Sequence, residues 1–293
     1  MSVYLITVNY NGAEQTVPFI HALKTQTDTD FHLMVVDNAS VAHDMQKIEQ
    51  ALSGTQFKLY KNSSNLGFSG GNNVGIRHAL ERGAEWVVLL NNDTEPTPAY
   101  IERLRANLGQ IKGIGALPVR EGARTAYGGR IEWLKPTLPH VYDFALSPKL
   151  SALRRLYAIG AGMVIHRSVF EKIGLFDERY FLYFEDADFC ARAMRAGIPI
   201  TPVSEPILDH HGSATTRSLG SALLLRYHAR NALLFNFNNG PRWVKGLLPF
   251  VSLYGIIFQL LKMLLMPSRR APSRAIAAGI LDFYRGRFRK LPY

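Results

Sequence analysis

The chain has 293 residues, of which 47% are hydrophobic, and it carries a formal net charge of +11. This length accommodates one large domain with a sizeable core and a smaller appendage. The single cysteine, Cys190, excludes an internal disulfide and is typical of a reducing compartment. An apolar run begins at Val3 with no basic segment before it, so we expect a strand at the N-terminus rather than a signal peptide.

The positive charge is concentrated at the C-terminus. Residues 266–293 contain seven basic side chains against one acidic side chain, Asp282, and so supply +6 of the net charge. This asymmetry predicts a polyanionic partner, either nucleic acid or anionic lipid.

The first hundred or so residues alternate apolar runs with helical patterns. Because strand–helix–strand units join parallel strands by right-handed connections, this alternation predicts a mostly parallel α/β sheet. The predicted strands are residues 3–8, 31–36, 57–60 and 86–90, and the predicted helices are residues 14–25, 74–80 and 98–108.

Polar side chains follow these strands at the point where each strand ends. Asn9 and Asn11 follow the first strand, Asp37 follows the second, and Asp93 follows the fourth. Ligands of α/β sheets bind outside the carboxyl ends of the strands, and Mg²⁺ takes carboxylate oxygens together with substrate phosphates. The alternatives are that Asp93 caps a helix that Pro96 opens and that Asp37 is a solvated loop residue.

Residues 62–73 combine three glycines with four asparagines ahead of a predicted helix. Such a loop lets backbone N–H groups approach a ligand closely. It contains neither the Walker lysine pattern nor G-x-G-x-x-G, and glycine-rich turns before helices are common. Further along, residues 113–140 have no clear period, and residues 157–165 predict a strand in which Gly160 and Gly162 mark a close approach or a bulge.

A second group of carboxylates opens a helix that Gly197 ends. Asp188 is four residues before Arg192, so we expect the two to pair. Asp186 lies roughly 200° around the helix from Asp188, which leaves it free to face a cleft. The aromatic run at residues 180–184 would shield that cleft and raise the pKa of a carboxylate toward the range of a general base. The alternative is a helix with an ordinary acidic N-terminus.

An extended segment at residues 200–206 precedes two adjacent histidines, His210 and His211. Successive side chains of an extended chain point in opposite directions, so at most one of the two faces a site. The alternative is that both are polar surface residues.

The C-terminal part predicts a helix at residues 223–231 and a strongly apolar segment at residues 246–266. The apolar segment is just long enough to span a bilayer, but Pro249, Gln259 and Lys262 argue against a clean span. Together with the basic tail, it predicts helices that lie in the interface of an anionic leaflet. The alternative is a helix packed on the domain or in a homodimer.

Taken in order, these segments resemble the family 2 glycosyltransferases with the GT-A fold, and among them the bacterial rhamnosyltransferase-like branch. The ordered set spans nearly all of residues 3 to 215 and is specific as a set. The segments that carry the resemblance are residues 7–12, 35–40, 65–72, 89–93, 174–177, 185–188 and 210–212.

The resemblance implies a GT-A catalytic domain over residues 1–215, with a Rossmann-like, mostly parallel sheet flanked by helices. Residues 216–293 would then form a C-terminal helical region that associates with a membrane. The implied reaction is an inverting transfer from a nucleoside-diphosphate sugar, with dTDP-rhamnose suggested by the branch, to a hydroxyl of a lipid-linked glycan. Its implied location is the cytoplasmic face of the inner membrane, in cell-surface polysaccharide synthesis.

The resemblance also implies the roles of individual residues. Asp186 matches the base, with Glu185 as the first alternative, while Asp93 and His210 match the ligands of a divalent cation, Mg²⁺ or Mn²⁺. Asn91 stands where the metal-binding D-x-D motif of the family begins with aspartate, so the donor's diphosphate would hold more of the cation. The implied donor-binding residues are Thr7, Asn9, Asn11, Asp37, Asn65, Gly67, Asn72, Asn92 and Asp93.

Two other functions are compatible with parts of the sequence. One is a nucleotide-sugar-binding protein without catalysis, against which the presence of both Asp93 and Asp186 argues. The other is a basic nucleic-acid-binding protein, but the chain has no aromatic–basic interleaving and no finger spacing, so we expect no nucleic-acid partner.

Overall fold

The computed structural model describes residues 1–210 and 221–291. Its strands are β1 (Val3–Asn9), β2 (His32–Asp37), β3 (Lys58–Lys61), β4 (Trp86–Leu90), β5 (Thr94–Glu95), β6 (Ile114–Ala116), β7 (Val119–Glu121), β8 (Arg124–Ala126), β9 (Gly129–Arg130), β10 (Leu156–Tyr157), β11 (Gly162–His166), β12 (Ile200–Pro202) and β13 (Leu208–His210). Its α-helices are α1 (Ala13–Lys24), α2 (Ala42–Leu52), α3 (Gly67–Glu81), α4 (Tyr100–Leu108), α5 (Ser147–Ala152), α6 (Arg167–Ile173), α7 (Glu185–Arg195), α8 (Ser221–Asn239), α9 (Arg242–Leu265) and α10 (Arg270–Tyr284).

The main sheet has seven strands in the order β12-β6-β11-β4-β1-β2-β3. Only β11 runs antiparallel to its neighbours, β4 and β6, and the other pairs are parallel. The carboxyl ends of β1, β2 and β4 therefore meet at one edge. The mostly parallel α/β sheet predicted from the sequence is confirmed.

Helices cover both faces of this sheet because its strands are apolar on both sides. In β1, Val3 and Leu5 pack with buried residues of α1, α2 and α4. Tyr4 and Ile6 point the other way and share a core with α3, α7 and α8. The alternation of β1 thus decides which of its residues can reach each side of the sheet.

A four-stranded sheet in the order β5-β13-β7-β8 was not predicted from the sequence. His210 in β13 is in register with Thr94 in β5 and with Glu121 in β7. This pairing brings the segment after Asp93 next to His210. It also corrects the prediction for Pro96: the chain forms β5 before it, and the next helix begins only at Tyr100.

Two further predictions need correction near this edge. The strand expected at residues 157–165 is divided into β10 and β11, and a turn at Gly160 separates them. The glycine-rich loop is mostly helix, because α3 already begins at Gly67. A Cβ at Gly71 would lie 2.8 Å from Val8 Cγ1 and 2.9 Å from Asn38 Nδ2, so this glycine lets α3 pack closely on the sheet instead of exposing backbone to a ligand.

The C-terminal helices pack on the sheet domain. Residues of α8, among them Leu234 and Phe235, are part of the core that also contains α3 and α7. The predicted domain boundary at residue 215 lies outside the described residues, as does His211. In the described part of the chain, α9 is the one helix long and apolar enough to cross a membrane, judged by length and composition alone.

Candidate active site

A cavity of about 430 Å³ opens at the carboxyl ends of β1, β2 and β4. Tyr10, Asn38 and Asn92 line the side formed by the strand ends. Asp186 lines another side, and His210 from the small sheet lines a third. The structure therefore brings the candidate base and one candidate metal ligand to one cavity, although they come from distant parts of the chain.

Asp186 is held at the start of α7 by backbone donors. Its Oδ2 accepts the N–H of Gly160 at 3.0 Å, and its Oδ1 accepts the N–H of Ala187 at 2.7 Å. Burial raises the pKa of Asp186 above its ordinary value, even though these hydrogen bonds act in the opposite direction. A carboxylate in this state is suited to accept a proton from a substrate hydroxyl.

The neighbouring Glu185 also lines the cavity and is 5% exposed. Its Oε2 has no hydrogen-bond partner among the described residues. Burial raises its pKa well above the ordinary value, and the charge of Asp186 raises it further. Asp188 on the same helix has a different environment, because Arg192 Nε donates to its Oδ2 at 2.8 Å, which confirms the predicted pair.

Asp93 is buried, and neither of its carboxylate oxygens has a hydrogen-bond partner among the described residues. His210 Nε2 lies 3.2 Å from Asp93 Oδ1, within ion-pair distance but without the alignment of a hydrogen bond. Burial opposes a positive charge on His210, but the carboxylates of Asp93 and Glu121 outweigh it and raise the histidine's pKa.

A buried carboxylate without a hydrogen bond beside an imidazole fits a divalent cation, because burying a carboxylate without hydrogen bonds is costly and both groups are metal ligands. The described residues contain no group of three or more His, Cys, Asp or Glu side chains that could hold a metal ion. Asp93 and His210 would therefore be two protein ligands, and diphosphate oxygens or water would complete the shell. Asp93 itself is behind the cavity wall, which Asn91 and Asn92 form at this point.

Three of the predicted donor-binding residues line the cavity. Asn92 donates to Thr16 Oγ1 at 2.8 Å, and Asn65 Oδ1 accepts the N–H of Gly67 at 2.8 Å. Gly67 has a φ of +72°, and a Cβ there would collide with the carbonyl and ring of Phe181. Only glycine fits this position, which explains its place at the start of α3.

Three others point to the opposite face of the sheet. Asn9 and Asp37 are fully buried, and Asn9 Nδ2 donates to Asp37 Oδ1 at 2.8 Å. Ser40 donates to both oxygens of Asp37 through its hydroxyl and its backbone N–H. Thr7 lies on the same face, and its buried hydroxyl has no partner among the described residues. The structure does not place these side chains on the cavity wall.

The last two predicted residues are also away from the wall. Asn72 lies inside α3 and donates to the carbonyl of Phe68 at 2.9 Å. Asn11, at a φ of +49°, accepts the N–H of Val41 at 2.9 Å. Their donor-binding roles stay predictions.

The cavity contains a pair that the sequence did not indicate, Glu121 and His140. Nδ1 of His140 lies 3.1 Å from Glu121 Oε2, which also accepts the hydroxyl of Tyr142 at 3.2 Å. The hydrogen bond with His140 lowers the pKa of Glu121. No local pattern marks these residues, because the pairing of β7 with β13 positions Glu121.

The turn that leads into α7 has an unusual backbone. Phe181, Tyr183 and Phe184 have φ values of 65°, 73° and 71°. Each such residue costs about 1–2 kcal/mol, and backbone strain of this kind is concentrated at functional sites. The ring of Tyr183 stacks on His228 with centroids 4.0 Å apart, and burial lowers the pKa of His228 to about 4.

A mostly parallel sheet with this cavity at its carboxyl edge is the architecture of the GT-A fold. A mannosyltransferase from Pyrobaculum calidifontis, solved with GDP-mannose and Mn²⁺, has the same fold. The two superpose with a TM-score of 0.60 over 96% of this chain and 86% of the mannosyltransferase, at 13% sequence identity.

The sequence places the chain more narrowly. The model of "Glycosyl transferase family 2" matches residues 4–174, and the chain belongs to that family. A glycan-biosynthesis hexosyltransferase of Haloferax volcanii is 33% identical over 67% of this chain, which spans 62% of that relative. An N-acetylglucosaminyl-diphospho-decaprenol L-rhamnosyltransferase of Mycobacterium tuberculosis is 25% identical over 80% of this chain and 85% of its own length. The resemblance to the rhamnosyltransferase-like branch is thereby confirmed.

Proposed function

We propose that the protein is a metal-dependent, inverting glycosyltransferase of cell-surface polysaccharide synthesis. It transfers a sugar from a nucleoside diphosphate, with dTDP-rhamnose as the first candidate donor, to a hydroxyl of a lipid-linked glycan. The observation that carries the proposal is the presence of two carboxylates near one cavity: Asp186 has a raised pKa, and Asp93 is buried without a hydrogen-bond partner among the described residues. The Mycobacterium tuberculosis relative, whose name specifies a rhamnosyl transfer to a diphospho-decaprenol-linked sugar, supports this choice of donor and acceptor.

Asp186 is the base of the proposed reaction. Its carboxylate takes the proton of the acceptor hydroxyl as that oxygen bonds to the anomeric carbon. The bond between this carbon and the diphosphate oxygen breaks, and the nucleoside diphosphate leaves with the electron pair. A single displacement from the opposite face inverts the anomeric centre, and it needs no second carboxylate as a nucleophile.

Asp93 and His210 would hold the divalent cation beside the donor's diphosphate. When bound, such a cation neutralises the charge that develops on the leaving diphosphate. Asn91, where a second carboxylate would stand, contributes no negative charge and so leaves the cation available to the phosphates. Gly160 keeps Asp186 oriented through its N–H at 3.0 Å.

We also propose that the protein works at an anionic membrane surface, bound through α9. One side of α9 packs on the protein, with Val244, Leu248, Ser252 and Gln259 buried. Tyr284 of α10 donates to Ser252 Oγ at 2.9 Å across this contact. The opposite side exposes large apolar side chains along its whole length: Trp243, Leu247, Phe250, Leu253, Tyr254, Ile257, Leu261 and Leu264.

The charge of this region complements anionic lipid. Within residues 221–291 the one acidic side chain, Asp282, is buried, and Arg226 donates to it at 2.6 Å. The basic side chains exposed in the same region are Arg242, Lys245, Arg269, Arg270, Arg274, Arg285, Arg287, Arg289 and Lys290. Because α9 is packed along α10, which exposes Arg270 and Arg274, the orientation that suits both helices lies in the interface and does not span the bilayer.

The first experiment measures nucleotide binding and transfer with the full chain. Thermal unfolding is followed with dTDP, UDP and GDP, each with and without Mg²⁺ or Mn²⁺, because a ligand that binds the native state raises the Tm. Release of dTDP from dTDP-rhamnose is then measured with a short-chain N-acetylglucosaminyl-diphospho-polyprenol as acceptor. We expect a cation-dependent Tm increase with dTDP and an inverted product. If none of the nucleotides changes the Tm, the assignment of the cavity as a nucleotide-sugar site is wrong.

The second experiment tests the membrane surface by co-sedimentation with phosphatidylglycerol vesicles and with phosphatidylcholine vesicles. The double substitution Phe250→Ser and Ile257→Ser should release the protein, whereas Leu153→Ser, an exposed leucine away from α9, should not. Reversing Arg269 and Arg270 to glutamate should weaken binding by about 1 kcal/mol per charge removed from the surface. If the wild-type protein stays in solution at low salt as a dimer, membrane binding through α9 is contradicted and a homodimer contact is favoured.

Substitutions are better suited to this test than removal of residues from Gly240 onward. We expect that deletion to release the protein from membranes, but it also removes Asp282, the buried partner of Arg226 in α8. It removes the carbonyl groups of Arg287 and Arg289 as well, to which Arg230 donates.

A further inference from the structure

We propose that Asn231, oriented by Arg230, is a positioning residue for Asp186, so that helix α8 sets the geometry of the base. The inference rests on the proposed function, because it takes Asp186 as the group that accepts the acceptor's proton. It goes beyond that function by assigning a role in the transfer to a helix from the C-terminal region.

The side-chain amide of Asn231 holds the turn that leads into α7. Its Nδ2 lies 2.9 Å from the carbonyl oxygen of Tyr180, 2.7 Å from that of Leu182 and 3.0 Å from that of Tyr183. Asn231 is fully buried, so water does not compete for these carbonyls. Three carbonyl groups that converge on one donor require the tightly wound backbone seen here, with left-handed residues at Phe181 and Tyr183.

Arg230 fixes the orientation of that amide. Its Nε donates to Asn231 Oδ1 at 2.8 Å, which turns Nδ2 toward the three carbonyls. Its guanidinium also donates to the carbonyl of Tyr180 at 2.8 Å and to that of Arg289 at 2.7 Å. Arg230 is fully buried and forms no ion pair within residues 1–210 and 221–291. Its donors are therefore used to hold backbone and the Asn231 side chain instead of a carboxylate.

This turn determines where α7 begins. The carbonyl of Phe184 accepts the N–H of Asp188 at 2.8 Å, and Asp186 lies in this first helical turn. Outside its own helix, Asp186 has one hydrogen bond among the described residues, from Gly160 at 3.0 Å. The carbonyl of Phe181 also accepts the N–H of Phe68 at 2.7 Å, which ties the same turn to α3. A change in the turn therefore moves the carboxylate relative to the cavity.

The decisive test is a double-substitution cycle on kcat, measured as dTDP release from dTDP-rhamnose with the polyprenol-linked acceptor. Asn231→Ala should lower kcat roughly 10–100-fold, the scale expected when a catalytic group is displaced by about an ångström. In the Asp186→Asn background the same substitution should have little further effect, because the group it positions is already inactive. dTDP should still raise the Tm.

A structural role alone would lower kcat by the same factor in both backgrounds, and that result overturns the proposal. The matched control is Asn236→Ala, which removes another buried asparagine of α8 that binds the N–H of Leu134 and the carbonyl of Ala232. It should lower the Tm without the loss of kcat. Arg230→Lys keeps the charge but loses the Nε donor, so it should lower kcat less than Asn231→Ala does. If Asn231→Ala does not fold, Arg230→Lys takes its place in the cycle.

A second readout needs no substrate. Amide hydrogen exchange should become faster in peptides that cover residues 67–70 and 158–162 in Asn231→Ala, because the N–H groups of Phe68 and Gly160 lose their acceptors. In Asn236→Ala these peptides should exchange as in the wild type. Unchanged exchange in Asn231→Ala overturns the positioning role. Full activity of Asp186→Asn would instead overturn the base assignment in the proposed function.

Discussion

Two groups of polar side chains stand at the same sheet edge and differ in how their hydrogen bonds are satisfied. In the first group, the side chains of Asn9, Thr16, Asp37 and Ser40 form hydrogen bonds with one another. Around Asp93 and Glu185, buried oxygens have no hydrogen-bond partner among the described residues. The hydrogen bonds of the first group stabilise the fold. The free oxygens of the second group can still bind a ligand.

The difference has an energetic consequence. A buried polar atom without a hydrogen-bond partner costs about 1–3 kcal/mol, so the second group lowers the stability of the fold. Proteins retain such costs where activity needs them. The comparison therefore separates residues that shape the edge of the sheet from residues that contact a ligand there. Substitutions in the first group should change stability, and substitutions in the second should change turnover or ligand binding.

The largest effect is expected for Asp186→Asn. The amide keeps the size of the side chain but cannot take a proton, and general base catalysis typically contributes 10²–10⁴-fold to the rate. We expect kcat to fall by about that factor while dTDP still raises the Tm as in the wild type. Turnover near the wild-type value would move the base to another residue, first to Glu185.

The next effect is expected for Asp93→Ala. Loss of the carboxylate should abolish the extra Tm increase that Mg²⁺ or Mn²⁺ gives with dTDP, and it should weaken cation-dependent nucleotide binding by at least ~10–100-fold, the loss caused by disturbing groups that merely support a ligand. Asp209→Ala is the matched control, because Asp209 precedes His210 in β13 and faces Arg120 at 3.2 Å. An intact cation response in Asp93→Ala would refute the metal role.

The smallest effects concern stability, and they should have opposite signs. Asp37→Ala removes the acceptor of the Ser40 hydroxyl and N–H and one of the acceptors of Asn9 Nδ2, and it should lower the free energy of unfolding by about 1–3 kcal/mol. Glu185→Gln removes a carboxyl group whose ionisation is opposed by burial, and it should raise the Tm at neutral pH.

The pH dependence of the Glu185→Gln effect checks its cause. Burial raises the pKa of Glu185 in the folded protein, so folding binds a proton between the unfolded and the folded pKa, and stability falls as the pH rises through that range. The Tm advantage of Glu185→Gln should therefore disappear below the ordinary glutamate pKa and grow as the pH rises. Equal Tm shifts at all pH values would show that packing and not charge is responsible.

Much of the sheet edge could be predicted from the sequence because its strands are continuous apolar runs that end in polar residues. Asp93 was identified for this reason, whereas Asp186 was identified from the acidic start of a helix; Asp186 lines the cavity and Asp93 lies directly behind it. The alternation of β1 is a further signal in the sequence. Thr7 and Asn9 have the same parity as the apolar Val3 and Leu5, which pack under α1, so they could not share a wall with Tyr10.

Other features depend on contacts between distant segments and have no local signature. Glu121 reaches the cavity only because β7 pairs with β13, and His140 follows it from a segment with no period. The turn at Gly160 interrupts an apolar run that local preference alone would continue as a strand. The hydrogen bonds of Asn231 join α8 to a turn about fifty residues earlier in the chain, and helical periodicity does not indicate what an inward-facing amide will meet.

The register of the small sheet also bears on the entropy of ligand binding. Thr94, the residue after Asp93, is the direct partner of His210 in the antiparallel pairing of β5 and β13. The separation of the two candidate ligands is thus set by backbone hydrogen bonds that exist before any ligand arrives. Little conformational freedom is left for binding to remove, so most of the interaction with a cation would appear as affinity.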